Sequence, residues 1–165
     1  TSQQTDQSTD APNAQQANGN VIGTYTTAYV AGIPRANNLE LAASRINGVV
    51  VQPGQSFSFS ATILPRSRAN GYVVAPIFVS GKKSTGIGGG VCQVSSTLYA
   101  AMVTAGLPAT ERHPHSLPVD YLPKGLDATI AGNYLDLKFT NVYSQPLQIQ
   151  ASASNGTLTV SLVLQ

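Results

Sequence analysis

No tryptophan occurs in this sequence, cysteine occurs once, and only 10% of the residues are charged. Each scarcity excludes something. One thiol cannot close an internal disulfide, so the fold must hold by its core and its hydrogen bonds. The formal net charge is only +2, with no basic cluster interleaved with aromatics, which argues against a nucleic-acid partner. Lys82 and Lys83 stand together, but a pair of this kind reads as a solvated loop. Without tryptophan or an aromatic-rich loop, a groove that stacks sugars on rings is disfavoured. No apolar run approaches the length needed to span a bilayer. The single cysteine has no C-x-x-C or H-x₃-H companion, so no metal site and no cofactor are expected.

Residues 1–20 contain no aromatic and no branched aliphatic side chain. Such a stretch cannot offset its own ordering entropy, and it reads as a disordered linker. A linker of this kind commonly ties an exported domain to a signal or anchor outside the chain. No signal peptide stands here, so a mature or truncated form is expected. Residues 21–165 make one domain, long enough to bury about two-thirds of its unfolded surface. Residues 21–30 read as a strand. Asn37 or Asn38 is placed to cap a helix ending at Asn47. Residues 49–51, 57–59 and 71–79 read as strands, the last at an edge because of Pro76. Prolines at 108, 114, 118 and 123 make 111–122 an irregular extended segment. A short strand follows at 127–130. Tyr134, Asp136 and Lys138 alternate with Leu135, Leu137 and Phe139, predicting the first set out and the second in. Asn155-Gly156 is the strongest hairpin signal. The expectation is α+β: a central helix against a mostly antiparallel sheet.

That helix carries the cysteine. The run G-I-G-G-G-V-C-Q-V-S-S-T-L-Y at 86–99 places four glycines just before Cys92. Glycines permit positive φ and close approach to the main chain. A thiol in the first helical turn feels the positive end of the helix dipole and unpaired N–H groups, which favour thiolate. Cys92, Ser95, Ser96 and Tyr99 fall on one helix face, and Val94, Leu98, Ala101 and Ala105 on another. The competing reading is a buried, inert structural cysteine.

Two histidines lie downstream, His113 and His115, followed by Asp127. A base that takes the thiol proton and an acid that fixes the imidazole tautomer would complete a nucleophilic site. The order of nucleophile on a helix, then base, then acid is that of papain- and transglutaminase-like thiol enzymes. The backbone N–H of Cys92, with a neighbour from Gly89, Gly90 or Gln93, would form the oxyanion hole. Equally, the histidines fit surface positions and Asp127 a turn cap.

The glycine–cysteine run, with A-G-L, E-R-H-P-H-S-L-P-V and D-A-T behind it, closely resembles the VanW-domain family. So do N-G-V-V-V-Q-P-G-Q-S-F-S-F-S at 47–60, R-A-N-G-Y at 68–72 and Y-L-D-L-K-F at 134–139. The resemblance covers about residues 21–150, and its cysteine motif is highly specific. It implies an exported, wall-associated protein of Gram-positive type bacteria, with an L,D-transpeptidase activity. The family's cysteine falls on Cys92, the histidine of its H-S pair on His115 and its arginine on Arg112. His113 is outside that core pattern. By this resemblance Cys92 attacks the bond before the terminal D-Ala of a stem tetrapeptide. The side-chain amine of another stem then opens the thioester, giving a 3–3 cross-link, with water the acceptor in a carboxypeptidase side reaction. Gly89, Gly90, Gln93, Ser95, Ser96, Tyr99, Arg112 and His113 are the candidate oxyanion and substrate contacts. Peptidoglycan stems are the expected partner, the protein a monomer, its place extracytoplasmic. Two alternatives compete: a thiol amidase or endopeptidase on the same stems, and a non-catalytic wall-binding domain with a structural cysteine.

Overall fold

Asn155 and Gly156 have φ of 52° and 83°, the pair of positive values that a tight two-residue hairpin requires. They join two eight-residue strands, Leu147–Ser154 (β7) and Thr157–Leu164 (β8), in continuous antiparallel register. The structure, a computed structural model, describes residues 19–79, 82–132 and 134–165. The expected linker therefore lies outside the described residues except at its last two positions. Strand Asn20–Ala28 (β1) extends the hairpin along β8, and Val50–Val51 (β2) along β7, giving the antiparallel order β1-β8-β7-β2. Leu147, Ile149, Ala151, Leu158, Val160 and Leu162 bury one face. The other face is polar, with Thr24–Ser161 and Thr26–Thr159 hydroxyl pairs at 2.9 Å. Alternation of period two produces this division.

Two long helices cover the apolar face. Helix α1 (Pro34–Ile46) packs on β7 and begins at Pro34, three to four residues before the asparagines expected to cap it. Proline's fixed φ suits the first helical position, where its missing N–H costs nothing. Asn38 is instead wholly buried. Its amide donates to Val73 O at 2.9 Å and Gly89 O at 2.8 Å, and its oxygen accepts from Val73 N–H at 2.9 Å. Thus α1 is tied to the glycine loop.

Helix α3 (Val91–Ala105) ends at Gly106 and lies over β1 and β8. Gly23 permits that approach: a Cβ there would stand 2.3 Å from Ala101 O and 2.8 Å from Ala105 Cβ.

Several local expectations are corrected. A third helix, α2 (Phe59–Ile63), follows β3 (Ser56–Ser58), because Ser58 Oγ caps Ala61 N–H at 3.2 Å. Asp136 turns inward, accepting from Ser58 Oγ at 2.5 Å and Ser60 N–H at 2.9 Å. Its carboxylate serves the start of α2, and that outweighs strand alternation. Lys82 and Lys83 begin a strand, β5 (Lys82–Ile87), paired with β4 (Val74–Val79) in a separate ribbon. Strand β6 (Lys138–Thr140) pairs with β3. Residues 127–130 form no strand; they run along α3. The architecture is α+β, with antiparallel sheets and three helices. Among the described residues no helix is long and apolar enough to cross a membrane.

Because Gly23 meets helix backbone rather than a flexible side chain, Gly23→Ala cannot be absorbed by a rotamer change. Overpacking of this kind costs about 1–3 kcal/mol. The expected result is a lower denaturant midpoint with an unchanged slope; an unchanged midpoint would mean that the helix rides over β1 freely.

Candidate active site

Helix α3 presents its polar stripe to the main chain of residues 128–130. Ser96 Oγ accepts from Ala128 N–H at 2.9 Å and lies 3.2 Å from Ala128 O. Ser95 Oγ donates to Ala128 O at 2.7 Å, with Cys92 O at 3.0 Å. At the helix start, Ile130 N–H donates to Cys92 Sγ at 3.5 Å, and Ile130 O lies 3.5 Å from the same sulfur. Ser95 and Ser96, candidates for substrate contact, are thus engaged internally. Gln93 is too: its amide donates to Thr27 Oγ1 at 3.0 Å and Ala28 O at 2.8 Å, anchoring α3 to β1.

Holding 128–130 against the helix places Asp127 beside His115. Asp127 Oδ2 lies 2.6 Å from His115 Nδ1 and accepts the His115 backbone N–H, also at 2.6 Å. Two bonds to one oxygen fix both ring and backbone, and neither uses Nε2. Arg112 completes the support: Nε donates to Asp127 O at 2.9 Å and an Nη to Asp127 Oδ1 at 3.3 Å. Its guanidinium sits 4.7 Å from the centroid of the Tyr99 ring. Tyr99 and Arg112 therefore brace the acid. His113 points elsewhere, 2.9 Å from Glu111. The Cys92 N–H has no acceptor among the described residues, whereas the Gln93 N–H reaches Gly90 O at 3.3 Å. A cleft of about 190 Å³, lined by Arg112, Leu117, Val119, Lys124 and the His115–Asp127 pair, opens beside the constellation.

The charges follow this geometry. Burial pushes the Cys92 thiol up, yet its hydrogen bonds to His115 and to the Ile130 backbone and the charges of His115 and Arg66 prevail, so it titrates below its ordinary value. Burial alone would depress His115; bonds to Cys92 and Asp127 reverse this and raise it. Asp127, pushed up by burial, is drawn below the usual carboxylate range chiefly by the two His115 donors. Each of the three is shifted toward its charged form, and they titrate as a set.

Tyr121, Arg35 and Arg66 were not singled out in the sequence, because irregular loops and the start of α1 bring them in and no periodic pattern marks them. Burial, then the nearby Cys92 charge, raises the Tyr121 phenol far above its ordinary value, so it stays neutral. Arg35 stands 5.7 Å over its ring. Among the described residues no three His, Cys, Asp or Glu side chains gather as a metal site.

Fold and site together define an α+β domain presenting a thiol, an imidazole and a carboxylate in series. The chain belongs to the family described as VanW like protein, whose pattern it matches over residues 34–163. It is 41% identical over 142 residues to uncharacterized protein YoaR of Bacillus subtilis (strain 168), covering 86% of this chain and 47% of that protein. It is 34% identical over 109 residues to vancomycin B-type resistance protein VanW of Enterococcus faecalis (strain ATCC 700802 / V583), covering 63% of this chain and 40% of that one. The chain thus spans less than half the length of these curated relatives. No solved structure matches it.

Two measurements check the electrostatics. Iodoacetamide should label wild-type Cys92 well below the free-thiol midpoint of about 8.5, and His115→Ala should move the curve upward. A wild-type curve at or above that midpoint, unmoved by the substitution, would make Cys92 structural. Asp127, lowered in the fold, contributes stability that is present above the unfolded value of about 3.9 and lost as pH falls through its lowered one. Denaturant unfolding of wild type should therefore weaken steeply below about pH 4, and Asp127→Asn should flatten that decline.

Proposed function

We propose that the protein is a cell-wall acyltransferase, an L,D-transpeptidase that links peptidoglycan stem peptides through a thioester on Cys92. The observation that carries this reading is the His115 imidazole held between Asp127, at 2.6 Å, and the thiol whose titration it lowers. The name of the enterococcal relative fits a role at the wall. The order of groups along the chain is that of papain- and transglutaminase-like enzymes. An extracytoplasmic location, with attachment through a segment outside this chain, accords with such a substrate.

In the first step the thiolate attacks the carbonyl carbon before the terminal D-Ala. Negative charge develops on the carbonyl oxygen, and the Cys92 N–H at the positive end of α3 is placed to receive it. The C–N bond breaks, the leaving amine takes a proton from the His115 imidazolium, and D-Ala departs. In the second step an amine from another stem attacks the thioester, gives its proton to neutral His115, and expels the thiolate. The thioester conserves the energy of the amide bond, so no cofactor enters. A water acceptor would give hydrolysis instead, which is the amidase or carboxypeptidase alternative.

Purified sacculi incubated with the protein and analysed by mass spectrometry of muropeptides test this. The expected product is 3–3 linked dimer, absent with Cys92→Ala although that variant remains folded. His115→Ala should cost roughly 10²–10⁴-fold, the contribution of a general base, while His113→Ala should stay near wild type. Shortened stems without dimers would assign hydrolysis, and unaltered sacculi would sink the enzyme reading.

A further inference from the structure

Two arginines reach the approach to Cys92, and neither is engaged in a charge pair. The side chain of Arg66 lies across Gly88: a Cβ on that glycine would meet Arg66 Cβ at 2.8 Å and Cδ at 2.9 Å. The side chain of Arg35 crosses Gly90 in the same way, its Cγ 2.7 Å from where a Cβ would stand. Their stems thus rest on the loop that runs into the nucleophile. Arg66 is close enough for its charge to lower the Cys92 thiol. Arg35 acts on Tyr121, which in turn feels the Cys92 charge.

Of the other arginines, Arg68 is exposed, and the remaining two are used differently. Arg45 donates to Ile63 O at 3.1 Å and Asn70 O at 2.8 Å, and Arg112 is bound to Asp127 and Gly125 O. Arg35 and Arg66 have no hydrogen-bond acceptor and no carboxylate partner among the described residues. Both are only partly exposed, so water does not fully solvate them. Asp127, whose charge also reaches Tyr121, is taken by His115 and Arg112. Tyr121, held neutral, adds no competing anion.

We propose that Arg35 and Arg66 form a carboxylate clamp, which binds the free C-terminal carboxylate of the peptide residue released when Cys92 attacks. The proposal rests on the thiol-transfer reading for the identity of that peptide. A terminal carboxylate lies one residue past the attacked carbonyl, about 3.5 Å of extended chain. The arginine stems cross Gly88 and Gly90, within four residues of Cys92, and planar guanidinium donors match a carboxylate. The clamp would select the last peptide bond. A C-terminal amide would leave the guanidinium groups facing an uncharged end, and a site built for a charged partner discriminates strongly against its absence.

Alkylation of the thiol tests the clamp without any wall substrate. Iodoacetate carries a carboxylate one carbon from its reactive centre and iodoacetamide does not, and both attack the same thiolate, so the ratio of their rates cancels the thiolate fraction. Charge-assisted hydrogen bonds should raise that ratio roughly 10–100-fold over free cysteine. Arg35→Gln with Arg66→Gln should remove most of this gain, each alone part of it, and lysine at either position should restore some. A wild-type ratio equal to free cysteine, or unmoved by the double substitution, would overturn the clamp.

A second arm compares release of the terminal residue from a stem tetrapeptide and from its C-terminal amide. The acid should be preferred by a similar factor in wild type and not in the double variant. Turnover of acid and amide at equal rates would remove the clamp and leave the transferase. An iodoacetate preference lost in the double variant, with no peptide acylated, would support the clamp and remove the transferase.

Discussion

The polar stripe of α3 against the main chain of residues 128–130 is the contact on which the site depends. A backbone segment that lies outside any sheet must satisfy its peptide groups elsewhere, and an unmet buried one costs about 1–3 kcal/mol. Ser95, Ser96 and Cys92 meet those of Ala128 and Ile130. The same contacts bring Asp127 in, and Asp127 brings in His115. Thiol and carboxylate are therefore placed by one packing event, so neither can drift without exposing peptide groups. The thiol belongs to this fastening as well as to the proposed chemistry.

Around it the charges alternate along a line of contacts: Cys92 thiolate, His115 imidazolium, Asp127 carboxylate, Arg112 guanidinium, and the face of Tyr99. Burying any one alone would be costly, and burial does oppose the charged form at Cys92, His115 and Asp127. Alternation nevertheless shifts each of the three toward its charged form. His115, raised in the fold, stabilises it below its unfolded value of about 6.5, and that contribution is lost as pH climbs through the raised one. Cys92 runs the other way: its lowered thiol adds stability as pH rises toward the unfolded value of about 8.5. The two trends run in opposite directions with pH, so where both act they flatten the pH dependence of stability.

Much of this was legible in the sequence where a local pattern dictates a local structure. Asn155-Gly156 announced its hairpin, and the glycine run followed by a mixed face at 91–105 announced α3 closed by Gly106. The placing of Cys92 in the first turn was likewise readable from residue type, whereas the choice of His115 over His113 came from the H-S pair of the family resemblance, and Asp127 read equally as a turn cap. What escaped was decided by side chains meeting across distant segments. Asp136 read as an outward strand residue, yet the start of α2 needs its oxygens. Asn38 read as a cap, yet Val73 and Gly89 claim it. Ser95 and Ser96 share the cysteine's face, as the helical period requires. Periodicity cannot say that the partner on that face is the protein's own backbone.

The glycine loop shows the same distinction at its sharpest. Four glycines before a nucleophile suggest room for a substrate to reach the main chain. In the fold the space around all four is already filled: at Gly86 by Ile77, at Gly89 by Pro76 O and Ala75 O, at Gly88 by Arg66 and at Gly90 by Arg35. Gly88 and Gly90 also hold φ of 92° and 107°, which side-chain-bearing residues adopt only with strain. The run is thus a bed on which β4 and two cationic side chains lie. That arrangement explains why glycines recur there without leaving a cavity: each methyl omitted admits a neighbour, and one of those neighbours, Arg66, lowers the thiol by its charge. A loop built to pass a substrate would be open at these positions. This one is closed by two arginines, by Ile77 and by the main chain of β4.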